Sequence, residues 1–359
     1  MKVACIIRSS VFDVRGGDTT QFVKTTEALN NMGVKCDMFR AGEKIDYDNY
    51  DLLHLYNIIR PADHLKHIRQ SGKPYVVSTI YLDYSDFDQY GRGMPYSLVF
   101  RLLGKSNAEY VKNLLRYAKG QDKLVTMEYL LGHRRAMREI IKGAAVLLPN
   151  SHSEYRRLAE YTGMQHEYIF VPNGIDTGFF QAVPKGAKRE KKVISVAQIY
   201  GRKNQHRLIQ ACKKLKVPLD VIGKSPPNHQ NYFEMCKAMC NDKIRLVGYI
   251  PREDLLKAYA TAWVHALPSW FETTGLSSLE AGVMGCNLVV GNGGDTHEYF
   301  DGYASFCDAG DQQSIERAVE EALSRPHTDE LRDKILSEYT WEKAAEKTRE
   351  AYELALNHA

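Results

Sequence analysis

Glu272 and Glu280, with seven residues between them, lie in the stretch Leu267-Pro268-Ser269-Trp270-Phe271-Glu272-Thr273-Thr274-Gly275-Leu276-Ser277-Ser278-Leu279-Glu280-Ala281-Gly282-Val283-Met284-Gly285. A buried strand is expected to end at Pro268, a loop to hold Glu272 to Gly275, and a helix to begin near Leu276. The first turn of such a helix presents free N–H groups and the positive end of its dipole, which suits a phosphate. Glu280 falls about one turn inside the helix, within reach of the same cleft as Glu272. A loop of this form suits a nucleotide-sugar, with phosphate at the helix start, one carboxylate for sugar hydroxyls and the other for ribose hydroxyls. On charge alone the plainer reading is the stronger: Glu272 as a solvated loop charge and Glu280 as a surface helix residue. Nearer the N-terminus, Gly16-Gly17 forms a two-glycine loop before a helix starting near Thr19 or Thr20. It reads either as a loop that lets phosphate approach backbone N–H groups or as a plain turn.

Other reactive residue types point less clearly. His54 sits inside the apolar run Leu52-Leu53-His54-Leu55-Tyr56, where a core histidine and a cleft residue are equally good readings, whereas His265 reads as a satisfied core group. Trp270 and Phe271 either line a cleft or pack their loop. Seven scattered cysteines read as structural thiols of a reducing cytoplasm. Cys236 and Cys240 stand one helical turn apart without the second Cys/His pair that a structural zinc requires.

The elements that must position these groups alternate. In the first half, strands are predicted over Val3–Arg8, Lys35–Phe39, Leu52–Tyr56, Tyr75–Ile80, Ala144–Pro149 and Tyr168–Val171. In the second, they are predicted over Val193–Ile199, Leu219–Gly223, Ile244–Gly248, Trp263–Pro268, Asn287–Gly291 and Ser305–Asp308. Most are continuous apolar runs, as in strands buried on both faces of a parallel sheet. Helical periodicity lies between them, as over Thr20–Met32, Ser153–Tyr161, Gln205–Lys214 and Gln313–Leu323. The fold class is therefore α/β, with two doubly wound Rossmann-like domains. Pro184-Lys185-Gly186-Ala187-Lys188-Arg189-Glu190-Lys191-Lys192 reads as the linker. The expected division is 1–184, 185–340 and a C-terminal helix over 341–359, which must dock on something already built. Open α/β sheets bind ligands beyond the carboxyl ends of their strands, so two such domains imply a cleft. After the first strand there is no Gly-x-Gly-x-x-Gly, which disfavours a nicotinamide oxidoreductase.

Composition excludes several classes. The 359 residues are 44% hydrophobic and 26% charged, which rules out wholesale disorder. No apolar run approaches the roughly 18–20 residues of a membrane span. The opening Met-Lys-Val-Ala-Cys-Ile-Ile-Arg reads as a first strand rather than a signal peptide. A formal charge of +4 does not by itself argue for nucleic acid.

The block Pro268-Ser269 with Glu272, Gly275-Leu276, Leu279-Glu280-Ala281 and Gly285 resembles the signature of retaining glycosyltransferases of family 4. Val171-Pro172-Asn173-Gly174-Ile175-Asp176 is similar to the family's segment at the end of its first domain. Val196-Ala197-Gln198-Ile199-Tyr200-Gly201-Arg202-Lys203-Asn204 is similar to its phosphate-binding segment, and Gly223 and Gly248 follow at familiar places. The second domain matches almost throughout, the first only at its loops and strands. The resemblance implies a GT-B fold, with two facing Rossmann-like domains and the C-terminal helix crossing back onto the first. It implies transfer of a sugar from a nucleoside diphosphate sugar, with retention, to a hydroxyl of a glycan or lipid-linked acceptor in cell-envelope polysaccharide or glycoconjugate synthesis. No cofactor and no obligatory metal are implied. Asp86-Phe87-Asp88, the nearest approach to an Asp-x-Asp pair, is expected in the first domain, far from the donor motif.

Carried over residue by residue, the resemblance assigns catalytic roles to Glu272, Lys203 and Tyr81. Donor contacts fall to Gly17, Gln198, Arg202, Lys203, Thr274, Gly275, Leu276 and Glu280. Lys203 matches the family's lysine, and a cation there favours the transition state by roughly 2–4 kcal/mol. Two departures stand out. Gln198 occupies the place of a family arginine, for which Arg202 is the available substitute, and Tyr81 occupies the place of a family histidine. These motivate an alternative from another class, a weakly active or inactive donor-binding partner subunit of a glycosyltransferase complex. A sugar-nucleotide epimerase on the same fold lacks support for an acid/base pair.

The stretch 94–142 is the least family-like and carries ten basic against four acidic side chains. It reads either as a contact with an anionic membrane surface or as solvated helix faces. The expected location is cytoplasmic, with peripheral contact at the inner face of the membrane through 94–142. The aromatic run Tyr81, Tyr84, Phe87, Tyr90 and Tyr96 reads as an acceptor platform or as a packed cap over the first sheet.

Overall fold

The computed structural model describes residues 1–12, 16–85, 87–91, 110, 130, 132–178 and 188–357. Most of the basic stretch 94–142, Asp86, Tyr96 and the expected boundary at 184/185 lie outside the described residues. The chain forms two compact units, one of Met1–Leu82, Leu98–Gly174 and Trp341–Ala359, the other of Asp83–Ser97 and Ile175–Thr340. The break thus falls at Gly174, ten residues before the basic linker. The cause is local pairing: Ile175 N donates to Tyr339 O at 2.9 Å, and Ile175 bridges Thr340.

Unit 1 runs β1 (Lys2–Ile7), α1 (Gly17–Asn31), β2 (Lys35–Arg40), β3 (Leu52–Tyr56), α2 (Ala62–Ser71), β4 (Tyr75–Ser78), α3 (His133–Gly143), β5 (Val146–Leu148) and α4 (His152–Thr162). Its sheet has the order β2-β1-β3-β4-β5, and every pairing is parallel. All five residues of β3 are buried, as a strand covered on both faces requires. Helix α4 starts where Ser151 accepts from Glu154 N at 2.8 Å and stops at Gly163, whose φ of 68° suits glycine. The expected strand Tyr168–Val171 is instead an isolated bridge from Tyr168 to Leu147. Pro149, opposite it, lacks the N–H needed to continue the ladder.

Unit 2 continues with β6 (Glu190–Val196), α5 (Gln205–Leu215), β7 (Leu219–Ile222), α6 (Gln230–Ala238), β8 (Ile244–Gly248), α7 (Arg252–Thr261), β9 (Ala262–Leu267), α8 (Leu276–Val283), β10 (Asn287–Gly291), α9 (Thr296–Phe300), β11 (Ala304–Cys307), α10 (Gln312–Ser324) and α11 (Glu330–Glu338). Its parallel sheet has the order β11-β10-β9-β6-β7-β8. Neighbouring strand residues alternate between two cores: Val193 and Val289 join one face, Ile194, Leu288 and Val290 the other. Helices therefore cover both sides. β6 begins at Glu190, inside the basic run that the sequence reads as linker.

The final helix α12 (Trp341–Asn357) belongs to unit 1, where it packs on α1. Its buried stripe is Trp341, Ala344, Ala345, Thr348, Ala351, Tyr352 and Ala355, at the i, i+3, i+4 spacing of one face. Tyr352 reaches His54 Nδ1 at 2.6 Å, and His54 Nε2 meets Ser78 Oγ at 2.8 Å, so His54 is a core histidine. Burial pushes its pKa down to about 3. All seven cysteines are free thiols, and all but Cys240 are buried. Among the described residues, no helix is long and apolar enough to cross a membrane.

Candidate functional site

Strand order dictates where unit 2 opens. The chain winds outward from β6 through β7 to β8 on one side and from β9 through β10 to β11 on the other. Between β6 and β9 the direction of winding reverses, and the loops leaving such a pair diverge and leave room for a ligand. The loop after β6 carries Gln198, Arg202 and Lys203, and the loop after β9 carries Glu272, Thr274 and Gly275.

Those two loops meet. Lys203 Nζ donates to Glu272 Oε1 at 2.5 Å, and the side chains are only 18% and 12% exposed. Burial acts to lower the Lys203 pKa, but the Glu272 carboxylate outweighs it and holds the ammonium above its ordinary range. The turn Gly201–Lys203 is pinned by Asn204, which is fully buried in a left-handed conformation at φ 60°. Asn204 Nδ2 donates to Pro268 O at 3.1 Å and to Ala309 O at 2.9 Å, tying the exit of β6 to those of β9 and β11. Trp270 N adds a bond to Arg202 O at 2.9 Å.

Glu272 is fixed through its backbone. Its N–H donates to Gly293 O at 3.1 Å, and its carbonyl accepts from Asp295 N at 2.8 Å. A Cβ on Gly293 would lie 2.0 Å from Trp270 O, and one on Gly294 would lie 1.9 Å from Glu272 O. Only glycine lets the loop after β10 run this close. Gly275, at φ 78°, turns the chain into α8, and Ser278 N donates back to Gly275 O at 2.8 Å. Thr274 is buried, and Leu276 starts the helix whose first N–H groups have no intrahelical acceptor.

Glu280 has a separate partner, accepting from the Tyr259 hydroxyl at 2.9 Å. Burial pushes its carboxyl up to about 7, against that hydrogen bond and the distant Arg252 charge. Gln198 is exposed, and its backbone carbonyl accepts from Gln205 Nε2 at 2.8 Å. His265 is a core residue of β9, with burial pushing its pKa down to about 3.

The structure thus gathers Gln198, Arg202, Lys203, Glu272, Thr274, Gly275, Leu276 and Glu280 into unit 2, whereas Gly17 and Tyr81 lie in unit 1. Gly17 opens α1, and a Cβ there would meet open space. Beside it, at the β1/β3 switch point of the other sheet, Arg8 Nε donates to Asp18 Oδ2 at 2.6 Å, and Asn57 Nδ2 reaches the same oxygen at 3.3 Å. The Tyr81 side chain is 2% exposed and packs on Tyr161 within the unit 1 core, while its backbone N–H donates to Glu154 Oε1 at 2.8 Å.

The sequence reading passed over Asn204, Gly293-Gly294 and the placement of Tyr84 with unit 2. The signal for the glycines was legible: Asn292-Gly293-Gly294-Asp295 follows a buried strand. Tyr84, Phe87 and Asp88 belong to unit 2 and not to the first domain in which the sequence places them, because the two rings pack on Phe271 and Trp270.

Residues 178–340, nearly all of unit 2's longer segment, match the family model described as Glycosyl transferases group 1. Among curated relatives, the chain is 23% identical to a component of the phosphatidylinositol N-acetylglucosaminyltransferase of Arabidopsis thaliana, over 57% of this chain and 48% of that one. It is 30% identical to O-antigen chain mannosyltransferase B of Escherichia coli, over 43% of each chain. The chain spans about half the length of the curated relatives it matches. Among solved structures, sucrose-phosphate synthase from Thermosynechococcus elongatus superposes with a TM-score of 0.75 at 14% identity, covering 100% of both chains. Anabaena HepE in complex with UDP and glucose superposes with a TM-score of 0.69 at 12% identity, covering 98% of this chain and 99% of that one. These matches establish a GT-B fold of two Rossmann-like domains.

Proposed function

We propose that the protein is a retaining glycosyltransferase of family 4 that moves a sugar from a nucleoside diphosphate sugar to a hydroxyl of a glycan or lipid-linked acceptor in envelope glycoconjugate synthesis. The observation that carries this reading is the Lys203–Glu272 pair at the β6/β9 switch point, beside the start of α8. The named activities of the sequence relatives, all glycosyltransferases or a component of one, support it.

In this reading unit 2 holds the donor. The diphosphate lies at the first turn of α8 and near Lys203, whose positive charge grows in value as the leaving group gains negative charge. Glu272 accepts from sugar hydroxyls and Glu280 from ribose hydroxyls. The acceptor falls to unit 1, where Arg8, Asp18 and Asn57 mark the switch point beside Gly17. The anomeric C–O bond to the diphosphate breaks, the new C–O bond forms on the same face, and the acceptor proton passes to the leaving phosphate oxygen. No protein nucleophile takes part, and Lys203 with the helix start serves in place of an obligatory metal.

The test is incubation of the intact protein and Glu272→Ala with UDP-, GDP-, ADP- and TDP-sugars, with and without EDTA, reading thermal shift and nucleotide release together. One donor is expected to raise the melting temperature and to be slowly hydrolysed, with release unchanged by EDTA and lost in Glu272→Ala. A shift without release, even with envelope lipid extract, would favour the donor-binding subunit that Gln198 suggests. No shift with any nucleotide sugar would sink both.

A further inference from the structure

The two cations of the turn after β6 are held differently. Lys203 is matched by Glu272 at 2.5 Å, but among the described residues Arg202 has no carboxylate within ion-pair distance. Glu272 and Asp88 act on Arg202 only through space. Its guanidinium carbon instead lies 3.7 Å from the ring centroid of Tyr84 and 5.1 Å from that of Tyr200. A guanidinium resting on a ring face keeps the N–H donors at its edge for a second, anionic partner.

Tyr84 is itself held. Its carbonyl accepts from Asp88 N at 2.9 Å, and its ring meets Phe271 edge-on at 5.9 Å. Phe87, a turn later, stands at 6.3 Å from Trp270, whose N–H donates to the Arg202 carbonyl. The segment from Asp83 is therefore packed on the turn that carries Arg202 and Lys203, and both faces of the contact lie within unit 2.

We propose that Tyr84 is a positioning residue that holds Arg202, a cation with no carboxylate in contact among the described residues, beside the Lys203–Glu272 pair and presents it to the diphosphate of a nucleoside diphosphate. The charge that draws the diphosphate is then that of Arg202, because Glu272 engages that of Lys203. This rests on the donor reading above and adds to it a residue from a stretch that the donor motif does not include.

The test is titration calorimetry of the intact chain with UDP, GDP, ADP and TDP, with inorganic pyrophosphate, and with the nucleoside of whichever nucleotide binds. Arg202→Met and Tyr84→Leu are each expected to weaken the preferred nucleotide and pyrophosphate about tenfold while leaving the nucleoside unchanged. The double variant is expected to bind no more weakly than either single one, because the two side chains act as one unit. Tyr84→Phe, which keeps the ring, is expected to bind like wild type. Arg202→Lys, which keeps the charge but not the planar stack, is expected to recover only part of the affinity. Unchanged affinity in Arg202→Met, or full recovery in Arg202→Lys, would overturn the proposal, and the second holds even if Tyr84→Leu misfolds. Pyrophosphate binding that depends on Arg202, with no nucleotide bound, would keep the anion site and remove the donor reading. A wild type that binds neither would remove both.

Discussion

Glu272 and Glu280 share one loop-and-helix stretch yet meet different partners, and those partners give them different chemistry. Glu272 faces an ammonium, whereas Glu280 faces the Tyr259 hydroxyl in surroundings that push its carboxyl up to about 7. A raised carboxyl pKa means the folded protein keeps a proton that the unfolded chain releases. Stability from this residue is thus full below the ordinary value of 4.5 and is lost as pH rises through 7. Gln is the neutral shape-match of the protonated side chain. Glu280→Gln is therefore expected to melt higher than wild type at pH about 9 and at nearly the same temperature at pH about 4.5. An equal difference at both pH values in thermal melts would remove burial as the cause. The sequence made both carboxylates visible, but their separation into an ion-paired and a desolvated group depends on Lys203 and Tyr259, which lie outside the motif.

At the scale of the element, the turn Gly201–Lys203 keeps its place because Asn204 bonds to carbonyls 64 and 105 residues further along the chain. No local pattern announces such a role, and in the sequence Asn204 figures only as the last residue of the segment similar to the family's phosphate-binding one. Asn204→Ala removes both bonds and places a Cβ residue without a helpful side chain at a positive φ, which is expected to cost about 2 kcal/mol in urea unfolding. Asn204→Gly relieves the backbone but not the lost bonds and is expected to cost less. An Ala variant as stable as wild type would show that other contacts hold the turn. The helix after Gly275 is the opposite case. Its start, its glycine and its amphipathic continuation are all local features, and the structure places α8 at Leu276 as the sequence predicts.

Across the whole molecule, each unit keeps a neutral histidine in its core. Burial pushes His54 in unit 1 and His265 in unit 2 down to about 3, and His64 to about 4. The unfolded chain takes up these protons near the ordinary value of 6.5, whereas the folded chain resists until much lower pH. The stability they confer is therefore present above pH 6.5 and is lost as pH falls toward 3. In Glu280→Gln, which removes the opposing titration of Glu280, the melting temperature is expected to drop continuously from pH 7 to pH 4, and a flat profile over that range would contradict neutral buried histidines. The alternation of apolar runs with amphipathic stretches was enough to read two doubly wound units, because burial on both faces of a strand writes itself into consecutive residues. The apolar stripe of α12 was legible for the same reason. Its seat on the first domain came from the family resemblance and not from any local pattern, since Tyr352 finds His54 only when a segment nearly three hundred residues away is already in place. Nor did any period in the chain show that Tyr84 would leave the unit of its neighbours to lie on Arg202, or that Tyr168–Val171 would stop at one bridge. Periodicity and turn chemistry act between residues a few positions apart and are carried by the sequence directly. Strand order is settled only when the sheet closes on its two cores, and it is the adjacency of β6 and β9 that brings Lys203 to Glu272.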